Sequence, residues 1–154
     1  AGYFPRSSVP WLKGVFERTK KAVGKDRVEF MGTLDRGEKM EFLSRLDIFS
    51  VPARATEAKG LYALEAMASG VPVVLPDQGV FSEYIARGGG GILYNADEAG
   101  GLGKALEQMI EDEGLRSSSG RLGREAVESH FNSERMGRET REFYRRLSPV
   151  GGRS

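Results

Sequence analysis

"TEAKGLYALEAMASGVPVV", Thr56 to Val74, decides how this chain is read. A polar, flexible-looking run carries Glu57, a Gly60-Leu61 step follows, and Glu65 sits eight residues on from Glu57 inside an alanine-rich segment. The composition after Gly60 predicts a helix, and "PVVL" at 72–75 predicts a buried strand just beyond it. Loop, helix and strand in that order are one turn of an α/β fold.

Working outward, the same rhythm repeats. Short apolar runs rich in β-branched or aromatic residues fall at Gly2–Phe4, Val28–Met31 ("VEFM"), Asp47–Val51 ("DIFSV"), Pro72–Leu75 and Gly91–Tyr94 ("GILY"). Each predicts a parallel strand, with crossover helices between. Val9–Val23 spaces Val9, Leu12, Val15, Phe16 and Val23 about one helical turn apart, and Glu38–Leu46 carries Met40, Phe42, Leu43 and Leu46. After "GILY" the pattern is helix alone: Ala96–Glu111, Gly114–Ser129, and Ser133–Leu147 opened by "NSER". The expected organisation is one domain over 1–147 and a frayed tail over 148–154, "SPVGGRS" after Leu147, where Pro and Gly stop the last helix.

Composition excludes several classes. The 154 residues are 39% hydrophobic and 29% charged, and no apolar run approaches the roughly 18 residues that cross a bilayer. With no cysteine and only His130, neither a disulfide framework nor a zinc cluster can form, and a cytoplasmic setting is expected. Lys+Arg 23 against Asp+Glu 22 leaves +1, too little for a nucleic-acid surface.

Ligands of an open parallel sheet bind beyond the carboxyl ends of the strands, where loops lead into helix N-termini. Thr56–Leu61 occupies that position after "DIFSV". Backbone amides at Gly60, Leu61 and Tyr62 are expected to be free to hold an anion, and glycine lets the backbone approach it closely. Carboxylates accept hydrogen bonds from hydroxyls, and a nucleotide sugar has vicinal hydroxyls on both flanks of its diphosphate. Glu57 on one flank and Glu65 on the other fit such a donor.

The stretch "EAKGLYALEAMASGVPVV" resembles the Glu-x(7)-Glu signature of retaining glycosyltransferases of the GT-B fold, the group that uses UDP-, GDP- or ADP-sugars. "DRVEFMG", "DIFSVPARATE" and "DQGVFSEYIARGGGGILYNADEAGGLGKALEQMIED" extend the resemblance over about 26 to 147. It implies the C-terminal, donor-binding half of a GT-B enzyme: an α/β, Rossmann-like parallel sheet with helices on both faces. Glu57 would act at the donor-sugar hydroxyls as the catalytic residue, Gly60 and Leu61 would give amides to the distal phosphate, and Glu65 would bind the ribose. The backbone at Gly32 and Thr33 would line the base. No essential metal or other cofactor is implied, since side chains and a helix N-terminus take the cation's role.

Two departures stand out. The aromatic residue usual before the Gly-Leu step is Lys59 here, and the glycine pair often found after Asp77 is reduced to Gly79. "AGYF" at 1–4 resembles the end of the family's second strand, so the central first strand, its diphosphate-binding Arg and Lys, and the acceptor domain are expected upstream. The expected partners are therefore a nucleotide sugar, the N-terminal acceptor domain, and a second copy through the vacant strand position as the alternative for an isolated fragment. Any membrane attachment would come through that N-terminal domain.

Other features read as structure. "GGGG" at 88–91 fails both glycine phosphate fingerprints and is read as a flexible turn, and "GLGKAL" at 101–106 fails too. His130 reads as a C-terminal helix cap. Arg135, Arg138, Arg141, Arg145 and Arg146 among Glu134, Glu139 and Glu142 read as a solvated, pair-laced face on a helix that packs towards the partner domain in the family. The competing functions are a nucleotide-sugar epimerase of the same fold and a receiver-like signalling module, whose clustered aspartates after the first strand are not found.

Overall fold

The computed structural model of the protein describes residues 9–53 and 56–147. The expected strand at Gly2–Phe4 and the frayed tail lie outside them. The chain divides into two compact units, Ala1–Phe42 and Leu43–Ser154.

In the first unit, α1 (Val9–Val23) has the bounds its apolar spacing predicts. A short 3-10 turn follows at Lys25–Arg27. "VEFM" is not a strand. A strand needs a neighbouring edge for its backbone N–H and C=O groups, and none exists in this unit among the described residues. Phe30 is 54% exposed and meets the edge of Phe16 at 6.0 Å between ring centroids. α2 (Arg36–Ser44) starts and ends two residues before the expected Glu38–Leu46. A capping box sets its start: the Glu38 N–H donates to Asp35 Oδ1 at 2.9 Å, and the Asp35 N–H donates to Glu38 Oε2 at 2.9 Å.

The second unit holds a three-stranded parallel sheet in the order β1 (Phe49–Ser50), β2 (Val73–Pro76), β3 (Gly91–Tyr94). Phe49 pairs with Val73, and Val73 in turn with Gly91. β1 is shorter than the run "DIFSV" that announced it. Every residue of β2 is buried, as expected for a central parallel strand covered on both faces. Alternation along the strand divides the core. Val74 joins Tyr94 and, from α5 (Gly101–Glu111), Ala105 and Met109. Val73 and Leu75 face the other way, where α3 (Leu61–Ala68) supplies Ala66 and Met67 and α4 (Val80–Gly88) supplies Phe81, all fully buried. The fold is thus α/β with an open parallel sheet.

α6 (Glu113–His130) opens on Asp112, whose side chain accepts from the Leu115 N–H at 2.8 Å. α7 (Ser133–Leu147) has the predicted bounds and is capped by Asn132, which accepts from the Arg135 N–H at 2.8 Å. α5 begins five residues after the expected Ala96. The Asn95 side chain accepts from the Asp97 N–H, and Gly100 turns the chain at φ 81°, so residues 95–100 are spent in turns.

Three of the four glycines at 88–91 are a packing device, which corrects their reading as merely flexible, while Gly89 makes the turn into β3 as the left-handed C-cap of α4 at φ 59°. A Cβ on Gly88 would strike Ala126 of α6. On Gly90 it would lie 2.7 Å from Met67 Cε and 2.8 Å from Gly123 Cα, and on Gly91 it would strike the Val73 carbonyl oxygen. Only chain without side chains lets α4, β3, α3 and α6 approach this closely. Among the described residues no helix is long and apolar enough to cross a membrane.

Candidate functional site

The loops after β1 and β2 meet beyond the carboxyl ends of those strands. The Val80 N–H at the start of α4 donates to the Glu57 carbonyl at 3.1 Å, and Gln78 Nε2 donates to the Ala53 carbonyl at 3.2 Å. Gly79 makes the approach possible: its φ of 57° with ψ of −138° is open to glycine, and a Cβ there would strike the Glu57 carbonyl. From the far side the Tyr84 hydroxyl donates to the Lys59 carbonyl. Loop 56–60 is therefore held at both ends of its backbone.

Gly60 is the N-cap of α3, in the left-handed region at φ 51°. It is buried, and a Cβ would lie 2.5 Å from Phe81 Cε1. Leu61 opens the helix with its side chain 59% exposed. Glu65, one turn on, is half-buried. In the first unit, Gly32 has φ 66° and Thr33 is exposed, both in the segment before α2.

The Glu57 side chain folds back onto the turn before α3 and takes the Lys59 amide, next to the Gly60, Leu61 and Tyr62 amides expected to hold an anion. Its Oε1 accepts from the Lys59 N–H at 3.1 Å and its Oε2 from the Tyr62 hydroxyl at 3.0 Å. The backbone N–H groups of Lys59 and then Gly60, followed by the Tyr62 hydroxyl, hold the Glu57 carboxyl below its usual range. Glu57 is thus a fixed carboxylate at a helix N-terminus, where negative charge is favoured. The Leu61 and Tyr62 amides belong to the first turn, which has no intrahelical acceptor to offer.

Tyr62 and Tyr84 are the residues that the sequence reading missed. The only signal was the placing of two tyrosines near a signature that does not call for them. Burial first, then the hydrogen bond to Glu57 and that residue's charge, push the Tyr62 hydroxyl up to about 12. A folded-state value above the ordinary 10.0 means that the fold prefers the protonated phenol. The resulting stability is full below that ordinary value and is lost as pH rises towards 12. Melting temperature between about pH 9 and about pH 12 should therefore fall more steeply in the wild type than in Tyr62→Phe. Parallel curves would remove Tyr62 from the alkaline transition.

A separate groove of about 560 Å³ lies in the second unit, lined by Leu61, Leu64, Arg87, His130, Phe131 and Met136 among others. Glu57, Gly60 and Glu65 are not in its walls. His130 ends α6 and does not take the capping role expected of it. Its Nδ1 lies 2.9 Å from Arg135 Nη1, which must be the donor, while Asn132 Nδ2 donates to the Glu128 carbonyl at 2.6 Å and caps the helix. Arg135 also pairs with Glu139 at 2.6 Å on α7, in keeping with a pair-laced face. Among the described residues no group of three or more His, Asp or Glu is placed to hold a metal ion.

Comparison with known proteins bears on the same residues. The family model "Glycosyl transferases group 1" matches residues 1–126. A GDP-mannose-dependent monoacylated alpha-(1-6)-phosphatidylinositol monomannoside mannosyltransferase from Corynebacterium glutamicum is 31% identical over 133 residues, covering 80% of this chain and 35% of that protein. Sucrose-phosphate synthase from Thermosynechococcus elongatus superposes with a TM-score of 0.80 at 27% identity, over 96% of this chain and 37% of that one. The C-terminal domain of a glycosyl transferase group 1 family protein from Francisella tularensis gives 0.73 at 25%, over 84% and 66%. The chain spans 23% to 37% of the length of the first three curated relatives it matches. A receiver-like module has no place in this pattern. With the family's match running through both loops and the helix between Glu57 and Glu65, the chain belongs to the glycosyl transferases group 1 family.

Proposed function

We propose that this chain is the donor-binding domain of a longer glycosyltransferase that moves a sugar from a nucleoside diphosphate to an acceptor with retention of configuration. The observation that carries the reading is the arrangement around Gly60. A left-handed glycine starts α3 beyond the carboxyl ends of β1 and β2, with Glu57 anchored before it and Glu65 one turn inside. An anion at such an N-terminus needs no metal to hold it. The Gly60 and Leu61 N–H groups meet the distal phosphate at the start of α3. Glu57 meets the donor sugar's hydroxyls and Glu65 those of the ribose. The leaving phosphate itself helps to deprotonate the acceptor on the face from which it departs.

The relatives include a GDP-mannose-dependent mannosyltransferase and a sucrose-phosphate synthase, so the base is an experimental question. Thermal shift of the full-length protein with a panel of UDP-, GDP- and ADP-sugars tests the reading. One base family should raise the melting temperature, and no response to any of them would overturn it. Glu65→Ala should then weaken the matching free nucleoside diphosphate by roughly 10- to 150-fold, the range for a lost hydrogen bond to a charged group. Calorimetry showing unchanged affinity would remove Glu65 from the ribose.

A further inference from the structure

The Glu57 carboxylate has two oxygens and, on this chain, two donors: the Lys59 N–H on Oε1 and the Tyr62 hydroxyl on Oε2. Each oxygen has two lone pairs, so each keeps one for a further donor. A glutamate in a loop would otherwise rotate about its side-chain bonds, and a single amide leaves much of that freedom in place. Tyr62 restricts it because its own ring is packed against aromatic neighbours. The ring stands between Phe49, 6.4 Å away between centroids, and Phe81, 6.1 Å away. Phe81 is fully buried against the Cβ-less face of Gly60. Core, tyrosine and carboxylate thus form one line of contacts.

We propose that Tyr62 is a positioning residue for donor-sugar recognition, its core-anchored hydroxyl holding the Glu57 carboxylate so that the remaining lone pairs of both oxygens meet adjacent hydroxyls of the sugar. The inference rests on the reading of Glu57 as the sugar-contacting residue. It makes the sugar's contribution to affinity depend on Tyr62, while the nucleotide's contribution does not. The Tyr62 hydroxyl is also one of the groups that keep Glu57 acidic, so its loss should let the carboxylate protonate at higher pH.

The test uses the full-length protein, calorimetry, and two ligand pairs, GDP with GDP-mannose and UDP with UDP-glucose, followed in whichever pair binds. The quantity read is the ratio of nucleotide-sugar to nucleoside-diphosphate affinity, and its decline as pH is lowered. Tyr62→Phe keeps the ring packing and should leave the nucleoside diphosphate unchanged. The sugar-dependent ratio should fall by about 3- to 10-fold, the scale of one hydrogen bond. The acid midpoint of that ratio should move upward. A loss in Glu57→Gln with none in Tyr62→Phe would overturn the inference and leave the donor reading standing. Equal losses for both ligands in Tyr62→Phe would also overturn it, since they mark a purely structural role. A ratio unmoved by Glu57→Gln would bring down the sugar reading of Glu57 and the inference with it.

Discussion

Replacing Glu57 by glutamine in the full-length enzyme is expected to leave nucleoside-diphosphate affinity nearly intact while turnover falls on the order of 100- to 1,000-fold, the effect of removing one group that counts mainly in the transition state. Glutamine keeps an oxygen for the Lys59 N–H and so preserves much of the turn before α3. What it loses is the charge and the second acceptor offered to the sugar. Steady-state kinetics together with calorimetry on the free nucleotide separate the two effects. Equal losses in both would contradict the division of labour between Glu57 and Glu65.

The largest expected effect on stability comes from Gly91→Ala. A Cβ there would strike the carbonyl oxygen of Val73 and lie 2.9 Å from its Cγ2, and Val73 belongs to the fully buried central strand. Neither a backbone carbonyl nor a strand packed on both faces can move aside cheaply. Overpacking of this kind costs about 1–3 kcal/mol. For a domain near this size that is a drop of roughly 3–15 °C in melting temperature. Gly103→Ala is the control, because nothing lies within 4 Å of its Cβ position and alanine favours the α5 helix. A Gly91→Ala protein that melts with the control would show that the 88–91 run tolerates side chains.

Much of this architecture was legible because its signals are local. α1 and α7 have the bounds their 3.6-residue spacing predicts, and β3 matches "GILY", since a short apolar run closed by turn residues defines both its ends. "VEFM" carries the same kind of signal but has no strand beside it among the described residues, and a strand is a property of pairs. The start of α2 is set by the Asp35–Glu38 box, whose capping residue lies three positions before the Glu38 at which the apolar pattern places the helix. In the candidate site the Glu57, Gly60 and Glu65 frame was visible as spacing. The folding back of Glu57 onto the Lys59 amide and the Tyr62 hydroxyl was not, because it depends on where Phe49 and Phe81 hold the tyrosine ring. The close packing at Gly88, Gly90 and Gly91 was hidden for a related reason. Glycine that frees a chain and glycine that lets two elements touch look alike until the neighbours are known.

The most direct measurement of the central claim is a crystal structure of the full-length protein with the nucleotide sugar selected by the thermal-shift panel. The account predicts the distal phosphate at the N-terminus of α3 within hydrogen-bond distance of the Leu61 N–H, a sugar hydroxyl on Glu57, and the ribose hydroxyls on Glu65. A nucleotide seated elsewhere, such as in the groove lined by His130 and Phe131, with Glu57 and Glu65 touching no part of it, would contradict the account.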